Sequence, residues 1–96
     1  MKLKVFSIYD SKAEAYKQPF FMATKGEAVR GILEVLDRPD HLFAKYPADY
    51  TLFELGEYDD SNGKMLPHNT PISHGSLLEY QAKKTHENRP NLAQAI

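Results

Sequence analysis

Four histidines are the side chains of this sequence best suited to metal binding or proton transfer: His41, His68, His74 and His86. Zinc sites usually combine such histidines with each other or with cysteines at close spacing. No two of these histidines are three or four residues apart, and the chain contains no cysteine. His68 and His74, six residues apart in a predicted loop, form only a weak pattern. The sequence therefore predicts no metal site.

A cluster of carboxylates precedes the tripeptide Ser61-Asn62-Gly63 and could in principle hold a hard cation. Asp, Asn and Gly are also the residues that a tight reverse turn requires, and Asn-Gly is a strong hairpin signal. Because the turn explains these residues without a ligand, the sequence favours a hairpin over a cation site. The cluster comprises Glu54, Glu57, Asp59 and Asp60.

Motifs of the common enzyme classes do not occur in the sequence. There is no G-x-S-x-G nucleophile motif, no P-loop and no G-x-G-x-x-G dinucleotide motif. No side chain stands out as a nucleophile or a catalytic base with a partner for proton transfer. We therefore predict a non-catalytic protein with neither a cofactor nor a small-molecule substrate.

Aromatic residues in the first third of the chain are interleaved with lysines, a pattern typical of single-stranded nucleic-acid binding. In such proteins the bases stack on rings while Lys and Arg contact phosphates, and stacking contributes about 1–3 kcal/mol per base. A small core also needs rings, so Phe6 and either Phe20 or Phe21 could be structural instead. The predicted nucleic-acid-binding residues are Lys2, Lys4, Tyr9, Lys12, Tyr16, Lys17, Phe21 and Arg30.

Charge is distributed unevenly along the chain, although the net charge is only −1. Residues 1–30 contain six Lys or Arg against three Asp or Glu, and residues 61–96 contain four against two. Residues 31–60 contain two against eight. A polyanion is therefore expected to contact the first third or the C-terminal end. At that end, further phosphate contacts would come from Lys83, Lys84 and Arg89.

The elements that must position these residues begin with a predicted strand over residues 3–9, which has apolar side chains on both faces. Ser11 and Glu14 have the spacing of a capping box and indicate a brief helical turn. Residues 16–23 are predicted as a second extended segment. Since proline cannot donate a ladder hydrogen bond, Pro19 indicates an edge or a bulge in this segment.

A helix after residue 23 is the clearest element of the sequence. Thr24 and Glu27 form a capping box at its start, and it should end near Asp37, because a proline follows two residues later. Two glycines inside it, Gly26 and Gly31, suggest close packing or the local approach of another group. Four apolar residues recur at the spacing of one helical face directed toward a core: Val29, Ile32, Leu33 and Leu36.

The second half of the chain is predicted to contain a hairpin. Residues 38–50 form a loop with two prolines, and residues 50–58 form a strand that ends in the turn at Asn62-Gly63. Residues 64–66 would return antiparallel, before the prolines of residues 67–71 interrupt the strand.

This order of elements predicts an α+β fold. We expect one domain over residues 1–80, with a small antiparallel sheet of three to four strands and one helix packed on one face. Residues 81–96 are polar and are expected to form a flexible C-terminal tail. The uncovered face of the sheet favours a homo-oligomer, with a dimer the preferred state. Since the sequence has neither a membrane-spanning run nor a signal peptide, no membrane association is expected.

Four segments carry a resemblance to a known family: VFSIYDSKAEAYKQPFF (5–21), ATKGEAVR (23–30), DYTLFELGEYDD (49–60) and PHNTPISHGSLLEY (67–80). They resemble the small nonstructural protein of gokushovirus-type microviruses, which are bacteriophages with circular single-stranded DNA genomes. The resemblance covers roughly residues 1–80, and its most specific part combines S-K-A-E-A-Y with D-Y-T-L-F-E-L-G.

The resemblance implies a protein that binds single-stranded DNA in the host bacterial cytoplasm. It would act in viral DNA replication or in the switch to single-stranded genome synthesis. The resemblance defines no binding residues, so the predicted site rests on residue chemistry. The alternative is a protein-interaction module that binds a host replication factor or a capsid assembly intermediate, with the acidic residues from Glu54 to Asp60 facing a basic partner.

Overall fold

The computed structural model of the chain describes residues 1–87 and has the predicted α+β fold. In this part of the chain, five strands form one antiparallel sheet in the order β2-β1-β4-β5, and β3 also pairs with β1. The elements in chain order are β1 (Lys2–Asp10), β2 (Ala15–Tyr16), β3 (Phe20–Met22), α1 (Lys25–Leu36), α2 (Leu42–Lys45), a 3-10 turn (Pro47–Asp49), β4 (Tyr50–Asp59), β5 (Lys64–Ser76) and α3 (Leu77–Glu87).

The described sheet has more strands than the predicted three to four, because the extended segment 16–23 divides in two. β2 pairs with the C-terminal end of β1, and β3 pairs with its middle. Pro19 stands between them, where the chain leaves one pairing and enters the next, in agreement with the predicted irregularity.

Alternation along β1 gives the sheet two faces of different character. Phe6 and Ile8 lie on the face that packs against the helices, which we call the covered face. Val5, Ser7 and Tyr9 lie on the opposite face, which we call the open face. The α1 and α3 helices both contribute to the core on the covered face, so the fold has two helices there rather than the single one predicted. The buried core comprises Phe6, Ile8, Ala28, Ile32, Leu36, Tyr50, Leu52 and Leu77.

The predicted helix is confirmed at both ends. The Thr24 hydroxyl accepts a hydrogen bond from the Glu27 amide at 3.2 Å, and Asp37 is the C-terminal cap. Of the four residues of the predicted apolar face, Ile32 and Leu36 are buried, whereas Val29 and Leu33 are partly buried against the core.

The structure does not show the close packing that the two helical glycines suggested. A Cβ atom on Gly31 would have no described neighbour within 4 Å, and one on Gly26 would meet only the Thr24 hydroxyl, at 3.8 Å. Both positions therefore have room for a side chain.

Two local predictions were wrong. Ser11 and Glu14 do not form a capping box; the Asp10 carboxylate instead accepts from the amides of Lys12 and Ala13, and Glu14 has a positive φ of 55°. The predicted loop 38–50 contains the α2 helix and a 3-10 turn. His41 begins α2, because its Nδ1 accepts from the Phe43 amide.

The β5 strand is much longer than predicted, because two prolines did not end it. It lies at the edge of the described sheet, where a proline need not break a ladder hydrogen bond. The register jumps from Glu54↔Ile72 to Gly56↔Pro67, so residues 68–71 have no partner on β4. We call residues 68–71 the β5 excursion.

The α3 helix follows Gly75, whose φ of 103° favours glycine. Its Tyr80 hydroxyl donates to the His74 carbonyl, and its Gln81 amide donates to the Ala44 carbonyl. The helix therefore crosses the predicted domain boundary at residue 80. The rest of the predicted tail, including Arg89, lies outside the described residues, as does the side chain of Lys84. None of the helices in residues 1–87 is long and apolar enough to span a membrane.

Candidate nucleic-acid interface

Three aromatic rings lie together at one end of the open face. Tyr9 pairs with Tyr16 across β1 and β2, and their ring centroids are 4.9 Å apart. Phe53 of β4 lies 6.3 Å from Tyr9 and 5.5 Å from Tyr16, in edge-to-face arrangements. Tyr16 is 44% exposed, so this group offers ring surface to solvent. We call it the first ring group.

A second ring group, Phe21 and Tyr58, lies farther along the same face. Phe21 of β3 pairs with Val5, and Tyr58 of β4 pairs with Leu3. Their ring centroids are 5.3 Å apart, and Phe21 is 43% exposed. The structure thus brings all three predicted stacking rings, Tyr9, Tyr16 and Phe21, to one face.

Sequence reasoning missed two rings of this face, Phe53 and Tyr58. They are five residues apart and would point to opposite faces of a regular strand. Between Phe6 and Val5, however, the pairing on β4 moves from Glu54 to Gly56 and leaves Leu55 as an extra residue. This β-bulge puts Phe53 and Tyr58 on the same face. No signal in the sequence reveals the bulge, except that a glycine follows it.

Two of the predicted phosphate contacts lie at the end of the sheet that carries the first ring group. Lys12 is in the turn between β1 and β2, and Lys17 directly follows Tyr16. The Lys17 carbonyl accepts a hydrogen bond from the buried Ser7 hydroxyl at 2.6 Å, which fixes the backbone there. The Lys17 ammonium lies 3.9 Å from an Asp10 carboxylate oxygen and remains about half exposed.

The other three predicted phosphate contacts are on the covered side of the sheet. Lys2 and Lys4 alternate with the residues of the open face, and Arg30 is an exposed residue of α1. The Lys4 ammonium lies 3.6 Å from the Glu54 carboxylate. The structure therefore places Lys12 and Lys17 at the end of the sheet near the first ring group, with Lys17 paired to Asp10, and places Lys2, Lys4 and Arg30 on the covered side.

A buried carboxylate cluster lies on the covered side. Glu54 is only 5% exposed, and its two oxygens lie 2.7 Å from His68 Nε2 and 3.1 Å from His74 Nε2. An ionised carboxylate only accepts hydrogen bonds, so both Nε2 atoms carry a proton. His68 is the first residue of the β5 excursion and His74 lies three residues after its end, so Glu54 of β4 is hydrogen-bonded to β5 on both sides of the excursion. Sequence reasoning had grouped Glu54 with the acidic turn instead.

The charge of Glu54 is stabilised by these neighbours. Burial alone would raise the pKa of Glu54, but the hydrogen bonds from His68 and His74 and the nearby charge of Lys4 more than offset this effect. The pKa of Glu54 is therefore below its ordinary value. Among the side chains of residues 1–83, no three His, Asp or Glu are placed to hold a metal ion.

Two other residues of the predicted acidic cluster, Asp59 and Asp60, lie at the predicted hairpin turn. Asp59 accepts hydrogen bonds from the amide and hydroxyl of Ser61, and Asp60 pairs with the N-terminal ammonium at 2.7 Å. Gly63 has a φ of 75° and donates its amide to the Asp59 carbonyl. The interpretation of this run as a turn is confirmed.

Comparison with known proteins identifies the family of this chain. No curated protein and no solved structure matches the chain. A family described as Phage ORF5 protein matches residues 3–80, a range that contains the described sheet except for Lys2 and also the first turn of α3. Since this range is most of the 96 residues, the chain belongs to the Phage ORF5 protein family and is a bacteriophage protein.

Proposed function

We propose that this phage protein is a non-catalytic single-stranded DNA-binding protein and that its open face binds the bases. The observation that supports the proposal is the placement of five rings on one face of the sheet, with Tyr16 and Phe21 each more than 40% exposed. Base–ring stacking is tolerant of sequence, because every base has a flat face.

The number of lysines near the rings predicts how steeply the DNA affinity falls with salt concentration. Lys12 and Lys17 can contact the phosphates of a strand on the open face, whereas Lys2, Lys4 and Arg30 lie on the other side of the sheet. The slope of log affinity against log salt is about −0.7 per neutralised phosphate for single strands. Two contacts predict a slope of about −1.4, and all five would give about −3.5.

The biological setting follows from the resemblance to gokushovirus-type microviruses. In that setting the protein acts in the host bacterial cytoplasm, in viral DNA replication or in the switch to single-stranded genome synthesis. We also propose a homodimer, because β3 lies at an edge of the described sheet, where its outer backbone groups can pair with a second copy. A sedimentation measurement at micromolar concentration tests the dimer, and a stable monomer would refute it.

Fluorescence anisotropy with a labelled oligothymidylate tests the proposal directly. The double variant Tyr16→Ala/Phe21→Ala should bind at least about 10-fold more weakly than the wild type, because it removes the two most exposed rings of the open face. The matched control is Tyr46→Ala, which removes a ring that is 55% exposed but does not belong to the open face. Wild-type protein that leaves the anisotropy unchanged would refute DNA binding.

The alternative is a protein-interaction module without nucleic-acid contact. Exposed apolar side chains on β5, namely Met65, Leu66 and Ile72, are the observation that favours it. A pull-down from infected cells with and without nuclease separates the two functions. Partners that survive nuclease support the module, and partners that are lost support DNA binding.

A further inference from the structure

The open face has an apolar pocket of about 210 Å³ beside its second ring group. Pockets for drug-sized ligands and cofactors are typically about 300–1,000 Å³, so this one suits a single planar ring system. The open-face side chains that line it are Val5, Pro19, Leu55, Met65 and Pro67.

The position of the pocket along β1 is defined by pairing. Val5 is four residues from Tyr9, or about 13 Å along the strand. Phe21 pairs with Val5 on the β3 side, and Gly56 pairs with it on the β4 side. The pocket therefore lies directly beside the second ring group, within reach of a strand that stacks on Phe21 and Tyr58.

Close backbone approach shapes the wall of the pocket at Gly56. A Cβ atom on Gly56 would lie 2.4 Å from the Leu66 carbonyl oxygen and 2.7 Å from Pro67 Cα. Any side chain at this position would push β5 away from β4 and change the pocket.

The lining is suited to an uncharged ligand. Glu57 is the one charged residue that lines the pocket, and its pairing with Lys4 directs its side chain toward the covered side. A base is uncharged and fits such a lining, while the phosphates remain outside it, where Lys12 and Lys17 provide cations at one end.

Two features of β5 disfavour a second copy of the chain as the occupant. Pro67 and Pro71 have no backbone N–H to donate, and the β5 excursion that follows Pro67 interrupts the strand edge, so edge-to-edge pairing is obstructed at the pocket.

From these observations we infer that the pocket beside the second ring group takes one unstacked nucleobase of the bound strand. The inference rests on the proposed DNA binding and adds a defined position for one base. Because the lining offers almost no hydrogen-bonding groups, this base is held by its shape and apolar surface, with little discrimination among the four bases.

Photo-crosslinking with an oligothymidylate that carries one 5-iodouracil tests the placement. Trypsin cleavage after Lys45, Lys64 and Lys83 separates the peptide with Leu55 from the peptide with Met65, and tandem mass spectrometry of the first peptide distinguishes Leu55 from Phe53 and Tyr58. We expect crosslinks at Leu55 or Met65 in addition to the rings. DNA binding with crosslinks at the ring groups alone would overturn the inference and leave the proposed function intact, whereas absence of any DNA binding would overturn both.

Two variants test the pocket by affinity. Leu55→Trp fills the pocket, and Met65→Ala removes part of its wall at a half-exposed position where folding should be preserved. Each should weaken oligothymidylate binding about 5-fold or more, as the loss of one stacked base would. Leu42→Ala, at an equally exposed position on α2, is the control and should leave the affinity for oligothymidylate unchanged.

An oligonucleotide with one abasic position distinguishes a base from other occupants. If the pocket takes a base, the wild type should lose affinity for the abasic strand, and Leu55→Trp should show little further loss. Equal affinities of the wild type for the abasic and intact strands would overturn the inference. It would also be overturned by an aromatic peptide whose binding is lost in Leu55→Trp but which does not compete with DNA.

Discussion

The two faces of the sheet use the same residue types for opposite purposes. On the covered face, Phe6 stacks on Phe20 with a centroid distance of 5.8 Å and is completely buried. On the open face, Phe21 contacts Tyr58 at a similar distance but remains 43% exposed. Adjacent phenylalanines of one short strand are therefore divided between a core and a surface. The difference shows that the number of aromatic residues predicts neither stability nor binding unless it is known which face of the sheet each ring occupies.

The largest expected effect separates the two faces by stability. Phe6→Ala should lower the free energy of unfolding by about 3–5 kcal/mol, because it opens a cavity in the core. Phe21→Ala should lower it by about 1 kcal/mol or less, since this ring is only partly buried. Urea denaturation of both variants measures the difference, and equal losses would mean that the open face is also part of the core.

The next effect concerns the carboxylate cluster of the covered face. Glu54→Ala should lower the free energy of unfolding by about 2 kcal/mol, because two imidazole donors lose their acceptor. Glu57→Ala, on the same strand but without such partners, is the control and should stay within about 0.5 kcal/mol of the wild type. If Glu54→Ala lowered the free energy of unfolding as little as the control does, water would have replaced the carboxylate as the acceptor for the two imidazoles.

The same cluster predicts a pH dependence. The pKa of Glu54 is lowered in the folded chain, so its ionised form contributes stability that is present above the ordinary value of 4.5. This contribution is lost as the pH falls through the lower folded value. Denaturation at pH 6 and pH 3 should therefore show a smaller decrease for Glu54→Gln than for the wild type. A decrease of the same size in both would remove Glu54 as the cause.

A stabilising change tests the helix that covers the sheet. Gly31→Ala should raise the free energy of unfolding by about 0.5–1 kcal/mol, because alanine is the better helix former and its Cβ meets no described atom within 4 Å. Gly75→Ala should be destabilising, because Gly75 has a φ of 103°. If Gly31→Ala destabilised the protein, another group would have to occupy the position of the added Cβ atom.

The smallest expected effect separates the lysines of the two sides. Lys17→Gln should make the salt slope for oligothymidylate binding shallower by about 0.7, the value for one phosphate contact. Lys4→Gln removes a charge of the same sign from the covered side and should leave the slope unchanged. A larger change for Lys4→Gln would place the DNA on the covered side.

Local sequence signals predicted the parts of this fold that depend on neighbouring residues. The Thr24 cap, the helix that follows it and the turn at Gly63 all depend on contacts within a few positions. The pairing of Glu54 with His68 and His74 could not be predicted in this way, because those residues are 14 and 20 positions away. Nor could the common face of Phe53 and Tyr58, since it depends on where β4 carries its extra residue.

The bulge at Leu55 also determines how the open face meets a polyanion. Without it, regular alternation would turn Glu57 and Asp59 onto the open face and Tyr58 under the helices. Because of one extra residue, the open face along the C-terminal half of β4 carries a ring instead of two carboxylates. The charge of this surface therefore depends on the position of the bulge in β4 as much as on which amino acids the strand contains.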